Sequence, residues 1–200
     1  PGLEVGRAVA HCGPAMAAAD IFILTIEGKG GHAAMPHTAI DPIIIGTKIV
    51  DAYQSIVSRY IDPQEPVVLS VTQFHGGDAY NIIPNEIEIK GTVRCFSSKV
   101  QESIESQMEQ ITSSICSAYG ANYELGYERR YPATINTAEE VTISEKVAKN
   151  ISGDEMVHTS PTPSMGSEDF AFMLQERPGS YIWIGNGDGE GSCMLHNPGY

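Results

Sequence analysis

At 200 residues with 42% hydrophobic side chains, the chain is long enough to bury a core as one domain or two small ones. Twelve basic against 25 acidic residues give a formal charge of −13, which repels phosphate backbones and anionic lipids and speaks against nucleic-acid or membrane partners. No apolar run approaches the roughly eighteen residues of a membrane span, and no basic-then-apolar leader opens the chain. Cys12, Cys95, Cys116 and Cys193 form no C-x-x-C pair, which suits reduced thiols in a cytoplasmic protein. The sequence opens on "PGLEVG" without a methionine and stops at "LHNPGY", so it reads as a piece whose true termini, and any targeting signal, lie elsewhere.

In chain order, "DIFILTIEG" (residues 20–28) mixes β-branched and aromatic residues and reads as a strand. A helix follows, with Asp41 at its N-cap, Pro42 at its first position, and Ile45, Ile49, Ala52 and Ile56 at helical spacing. "PVVLSVTQFH" and "EIEIKGTVRCF" are two further strands; in the second, Ile87 and Ile89 share one face while Glu86, Glu88 and Lys90 share the other. The connection between them, "GGDAYNIIPN", is rich in turn formers. The next helix has Ser98 and Gln101 as a capping box, a stripe of Val100, Ile104, Met108, Ile111, Ile115 and Tyr119, and Gly120 past its end. "ANYELGYERRY" closes the run as a strand. The order β-α-β-β-α-β predicts a ferredoxin-like α+β domain over residues 16–131, two helices on one face of an antiparallel sheet.

Residues 1–15 and 132–200 read as parts of an α/β domain. The later segment carries a helix over about residues 138–150, a helix opening at "GSEDFAFML" and a buried strand "SYIWIG", with too few strands to cover themselves. A returning segment of a larger, incomplete α/β domain is expected.

"GKGGHAAMPH" (residues 28–37) sets His32 and His37 five apart around Pro36. That spacing does not suit a metal pair on a helix, where ligands recur three or four residues apart, and the proline blocks a continuous helix. The glycines and alanines instead suggest a backbone that bends sharply and lets something approach closely, with His32 at the bend. On these residues alone, a histidine satisfied by a loop carbonyl remains the alternative.

"KGGHAAMPH", "DPIIIGTKIVDAYQSIVSR", "AYNIIPNEIEIKGTVR", "PSMGSEDFAF" and "LHNPGY", in that order, resemble the metal-dependent amidohydrolase family of hippurate hydrolases, N-acyl-amino-acid amidohydrolases and indole-acetyl-amino-acid hydrolases. The resemblance runs essentially end to end. It implies an accessory or dimerisation domain inserted in an α/β metallo-hydrolase domain, and hydrolysis of N-acyl or N-aroyl amino acids by water activated at two divalent ions, zinc or manganese. Most ligands and the glutamate base would lie before Pro1, leaving at most a partial metal site and an inactive fragment.

His196 matches the metal ligand of the C-terminal part; nearby Cys193 reads as an ordinary thiol. His32 matches a histidine that reaches the partner subunit's active site in a homodimer and donates to the oxyanion. His37 is a candidate substrate contact or a structural residue beside Pro36. Asn81 and Arg94 match positions that hold the substrate carboxylate; the alternatives are a turn residue and an ion pair. Gly166 and Ser167 are candidate substrate contacts at the cleft rim, although Ser167 also suits a helix cap with Glu168 and Asp169 in the first turn. His11, His75 and His158 match nothing in the family. Other readings are a non-catalytic dimerisation or small-molecule-binding module, and a dipeptidase or carboxypeptidase of the same superfamily.

Overall fold

The computed structural model describes residues 3–187 and Pro198. The chain combines mixed sheets with helices and splits into two compact units, Ala18–Tyr131 and Pro1–Ala17 with Pro132–Tyr200. Its first strands are β1 (Ala8–Val9), β2 (Gly13–Met16), β3 (Ala18–Glu27) and β4 (Gly31–His32). Helix α1 (Pro42–Ser55) runs into a π-helical turn over Ile56–Tyr60. Strands β5 (Val68–His75), β6 (Ile82–Ile83) and β7 (Glu86–Cys95), helix α2 (Ser98–Tyr119) and strand β8 (Asn122–Tyr131) complete the central unit. After it come β9 (Thr134–Asn136), α3 (Ala138–Ser152), β10 (Val157–His158), α4 (Phe170–Glu176) and β11 (Trp183–Ile184). No helix among the described residues is long and apolar enough to cross a membrane.

In the central unit the antiparallel sheet has the order β5-β7-β3-β8, and, apart from the short β4–β6 ribbon, the elements run β-α-β-β-α-β. Phe22, Leu24 and Ile26 of β3 and Ile87, Ile89 and Val93 of β7 alternate toward one face. There they pack with Ile45, Ile49, Tyr53 and Ile56 from α1 and its π turn, and with Ile104, Met108 and Cys116 of α2. Helix α1 starts where Asp41 Oδ1 accepts from the Ile43 N–H at 2.9 Å, and Pro42 fills a position whose N–H needs no partner. The helix lies tight on the sheet at Gly46, where a Cβ would meet Ile87 Cδ1 at 2.4 Å. Within its buried stripe Tyr53 takes the place expected of Ala52, made tolerable by a 2.6 Å hydrogen bond between its hydroxyl and that of buried Thr112.

Helix α2 departs from expectation at its start and at Tyr119, while Gly120 follows its end as expected. No side chain caps its start, where Ser97 holds the N-cap position, so Ser98 and Gln101 form no capping box. Gln101 instead turns inward and donates from Nε2 to both carboxylate oxygens of Asp20, at 2.7 and 2.9 Å. Asp20 is 1% exposed and also accepts from the Tyr127 hydroxyl at 2.6 Å; a carboxylate buried that deeply takes every nearby donor. Burial raises the Asp20 pKa despite these bonds from Tyr127 and Gln101. At the other end Tyr119 lies outside the buried stripe, with Lys48 Nζ 5.9 Å from its ring centroid, and Gly120 adopts the left-handed cap at φ 72°.

In the other unit, strand β1 pairs in parallel with β10 and antiparallel with β11, and β2 pairs with β9. Asn136 stitches its segments: Nδ2 donates to the carbonyls of His11 and Tyr181, and Oδ1 accepts from the Tyr181 N–H. The helix expected at "GSEDF" begins only at Phe170, with Asp169 at its N-cap position and making no side-chain cap. "SYIWIG" forms a two-residue strand with Ile184 largely exposed, not the buried strand expected. Ile143, Val147 and Ile151 of α3 are also exposed; with Ile184 they line an apolar groove of about 430 Å³.

Candidate functional site

The pairing of β3 with β7 continues past the end of the sheet as the β4–β6 ribbon. Glu27 pairs with Glu86, whereas Gly31 pairs with Ile83, so the His32 arm carries one extra residue. This is a bulge, a device that bends a strand and re-aims the side chains beyond it. Asn85 clips it: its carbonyl accepts from Gly28 N–H at 2.8 Å and its Oδ1 from Gly30 N–H at 3.0 Å. The chain does turn at His32, whose carbonyl accepts from Met35 N–H at 2.8 Å, but not through left-handed glycines. Gly28, Gly30 and Gly31 have no positive φ. Smallness is required instead by close approach, since a Cβ on Gly28 would meet the Ile40 carbonyl oxygen at 2.2 Å and one on Gly30 the Ile83 oxygen at 2.8 Å.

His32 sits exposed near the ribbon tip, directly opposite Ile82. The Ala34 N–H donates to its Nδ1 at 3.1 Å. A backbone amide can only donate, so Nδ1 accepts and the neutral ring carries its proton on Nε2, as a donor on the exposed side chain. Asn81 is brought beside it: its carbonyl accepts from Ala33 N–H at 3.0 Å, within a turn closed by Ile82 N–H to the Ala79 carbonyl. Asn81 is therefore both a turn residue and a neighbour of His32. His37 lies exposed in the one-turn 3-10 helix Pro36–Thr38. A cavity of about 780 Å³, lined by His75, Asp78, Ile82, Glu86 and Glu88 among others, opens beside the ribbon.

Arg94 is not brought to this tip. It pairs with Ala19 at the far end of β7, eight residues beyond Glu86, or about 26 Å of extended strand. Gly166 and Ser167 belong to the other unit, where Ala17 N–H donates to the carbonyls of Ser164 and Gly166 at 3.0 and 2.9 Å. Glu168 is engaged locally, accepting from the Tyr181 hydroxyl at 3.0 Å. His196 and Cys193 lie outside the described residues. Among the described residues no three His, Cys, Asp or Glu side chains gather to hold a metal, so these residues alone do not make a metal centre.

The remaining histidines have local partners. Arg7 Nη1 donates to His158 Nε2 at 2.8 Å, His11 Nδ1 donates to the Thr159 carbonyl at 3.2 Å, and His75 Nε2 donates to Gln73 Oε1 at 3.3 Å. Burial pushes the Cys95 and Cys116 thiols up to about 11, which keeps them protonated and poor nucleophiles at neutral pH. Sequence reasoning missed Asn85, whose double clip aims the ribbon. The one signal for it was its place after Pro84, between a turn-rich stretch and a strand.

Comparison with known proteins gives this geometry a context. A thermostable carboxypeptidase of Saccharolobus solfataricus is 39% identical over 186 residues, 92% of this chain and 46% of that protein. An N-acyl-L-amino acid amidohydrolase of Geobacillus stearothermophilus is 50% identical over 137 residues, 68% of this chain and 37% of that one. The crystal structure of the YXEP protein of Bacillus subtilis, described as a dinuclear metal-binding peptidase, matches with a TM-score of 0.77 at 29% identity, covering 100% of this chain and 48% of that one. The chain thus spans about half the length of such relatives, or less. With the family model matching residues 3–200, the chain belongs to peptidase family M20/M25/M40.

Proposed function

We propose that this chain supplies part of a metal-dependent amidohydrolase that cleaves the amide of N-acyl or N-aroyl amino acids. In this reading residues 16–131 are a ferredoxin-like dimerisation domain, and the flanking residues are part of an α/β catalytic domain completed by residues beyond this chain. The observation that carries it is the separation within one unit. His32 and Asn81 sit at the ribbon tip, and Arg94 sits at the opposite end of β7, about 26 Å or more away. An N-acyl amino acid is too short to touch both ends of one chain. A homodimer formed through this sheet and its helices resolves this, with His32 and Asn81 entering one cleft and the partner's copy of the Arg94 position serving it from the other side.

His32 then donates from Nε2–H to the oxygen that gains charge as the amide carbonyl is attacked. Asn81 and Arg94 hold the substrate carboxylate, Arg94 through its guanidinium fork, and His37, Gly166 and Ser167 contact substrate at the rim. His196 is the ligand from this chain for two divalent cations, zinc or manganese, which would supply an activated water. The name of the Saccharolobus relative favours a second reading, removal of a C-terminal residue from a short peptide, with the same carboxylate contacts.

His32→Ala in the metal-loaded full-length protein is expected to lower kcat by about 10²–10³ with little change in KM. Mixing His32→Ala with Arg94→Ala subunits tests the shared site. Random mixed dimers contain one intact site each, so about a quarter of wild-type activity returns if the site is built across subunits. No recovery, in a mixture shown to exchange subunits, would mean that the two residues do not meet from different chains. A substrate panel of N-acetyl and N-benzoyl amino acids and dipeptides separates the two readings.

A further inference from the structure

Ile82 on the ribbon and Tyr80 in the turn that leads into it are exposed, and the proposed chemistry uses neither. Ile82 is the direct cross-strand partner of His32. Paired residues of an antiparallel ribbon project on the same side, with Cβ atoms about 5 Å apart. Their neighbours Gly31 and Ile83 project on the other side, and Ile83 is buried while Ile82 is 58% exposed. Two residues earlier, at a central position of the Ala79–Ile82 turn, Tyr80 is fully exposed. Thus an isoleucine stands in the open beside an imidazole whose Nε2–H is available, and a tyrosine stands in the open in the adjoining turn, each where a polar residue would cost less to expose.

We propose that Ile82, with Tyr80, is an apolar wall for the acyl group of the substrate and sets a preference for aromatic or longer aliphatic acyl groups over acetyl. The inference rests on the amidohydrolase reading above. An oxyanion donor lies beside the carbonyl carbon, which carries only two other substituents, the acyl group and the leaving nitrogen. Asn81 takes the carboxylate, on the leaving-nitrogen side. The acyl group is what remains to lie against Ile82. An aryl ring there covers the exposed isoleucine and stacks on the tyrosine, whereas an acetyl methyl covers little of either.

The test compares kcat/KM for N-benzoyl-alanine and N-acetyl-alanine in the metal-loaded full-length protein, wild type against Ile82→Ser, Tyr80→Ser and Ile82→Leu. The wild type favours benzoyl. Ile82→Ser lowers the benzoyl-to-acetyl ratio about tenfold, Tyr80→Ser lowers it several-fold, and Ile82→Leu keeps it within about twofold. Preference among benzoyl-amino acids of different side chain stays as in the wild type. The proposal is overturned if both acyl substrates fall in parallel, or if the variants shift amino-acid preference and leave the acyl ratio alone. Wild-type hydrolysis of both substrates with a ratio neither serine variant moves sinks this inference alone; hydrolysis of dipeptides but of no N-acyl amino acid sinks the parent reading with it.

Discussion

The two units solve the same problem to different degrees. The central unit closes on itself: two helices cover one sheet face, and from Phe22 to Cys116 its core side chains are almost wholly removed from water. The flanking unit leaves Ile143, Val147, Ile151 and Ile184 exposed along one groove. Both have helices with regular apolar spacing, so patterning does not separate them. Strand supply does. Four strands of eight to ten residues give the central helices a full floor, while the three-stranded sheet of the other unit is built of two-residue strands.

Equivalent substitutions in the two units sharpen that contrast. Met108→Ala in α2 is expected to cost about 2–5 kcal/mol, because the site is fully enclosed and cannot collapse freely. Urea denaturation followed by amide exchange in α2 measures it. Gly30→Ala places a Cβ against the Ile83 oxygen and the Asn85 amide; a loss of about 1–3 kcal/mol, with faster exchange confined to the ribbon, is expected. Asp20 gives the central unit a pH signature. Its pKa is raised by burial, so the stability it contributes is full below about pH 4 and is lost as pH rises through the raised value. Asp20→Asn flattens that slope in urea titrations, and an unchanged slope would mean that another group causes it. Ile151→Ala on α3 is expected to change stability by less than about 0.5 kcal/mol, since the side chain is 80% exposed. A cost like that of Met108 would erase the distinction between the units.

Much of the central unit was legible because its signals are local. Asp41 before Pro42, Gly120 after a long stripe and the alternation of β7 each act within a few residues of themselves. The errors arose where a distant partner decides. Gln101 looked like a capping residue because the buried carboxylate that claims it is 81 positions away. The close approach expected at the glycines around His32 is present, but what approaches, the Ile40 and Ile83 carbonyls, could not be read from the stretch itself. The buried reading of "SYIWIG" assumed strands on either side of it, whereas β11 pairs with β1 alone among the described residues. In the site, the closeness of Asn81 to His32 could not be read from their 49-residue separation, and the distance of Arg94 appears only once the register of β7 is known.

The bulge-tipped ladder has a mechanical consequence. Strands β3 and β7 are each ten residues long and bonded along their whole length, and Asn85 fastens the ribbon to their end. At about 3.3 Å per residue they form a stiff arm of roughly 33 Å between the chain ends of the unit and its tip. A rotation of about 10° at the base would carry the imidazole through roughly 6 Å, more than the length of a hydrogen bond. The position of the imidazole is therefore set by the whole length of β3 and β7 as much as by its own loop.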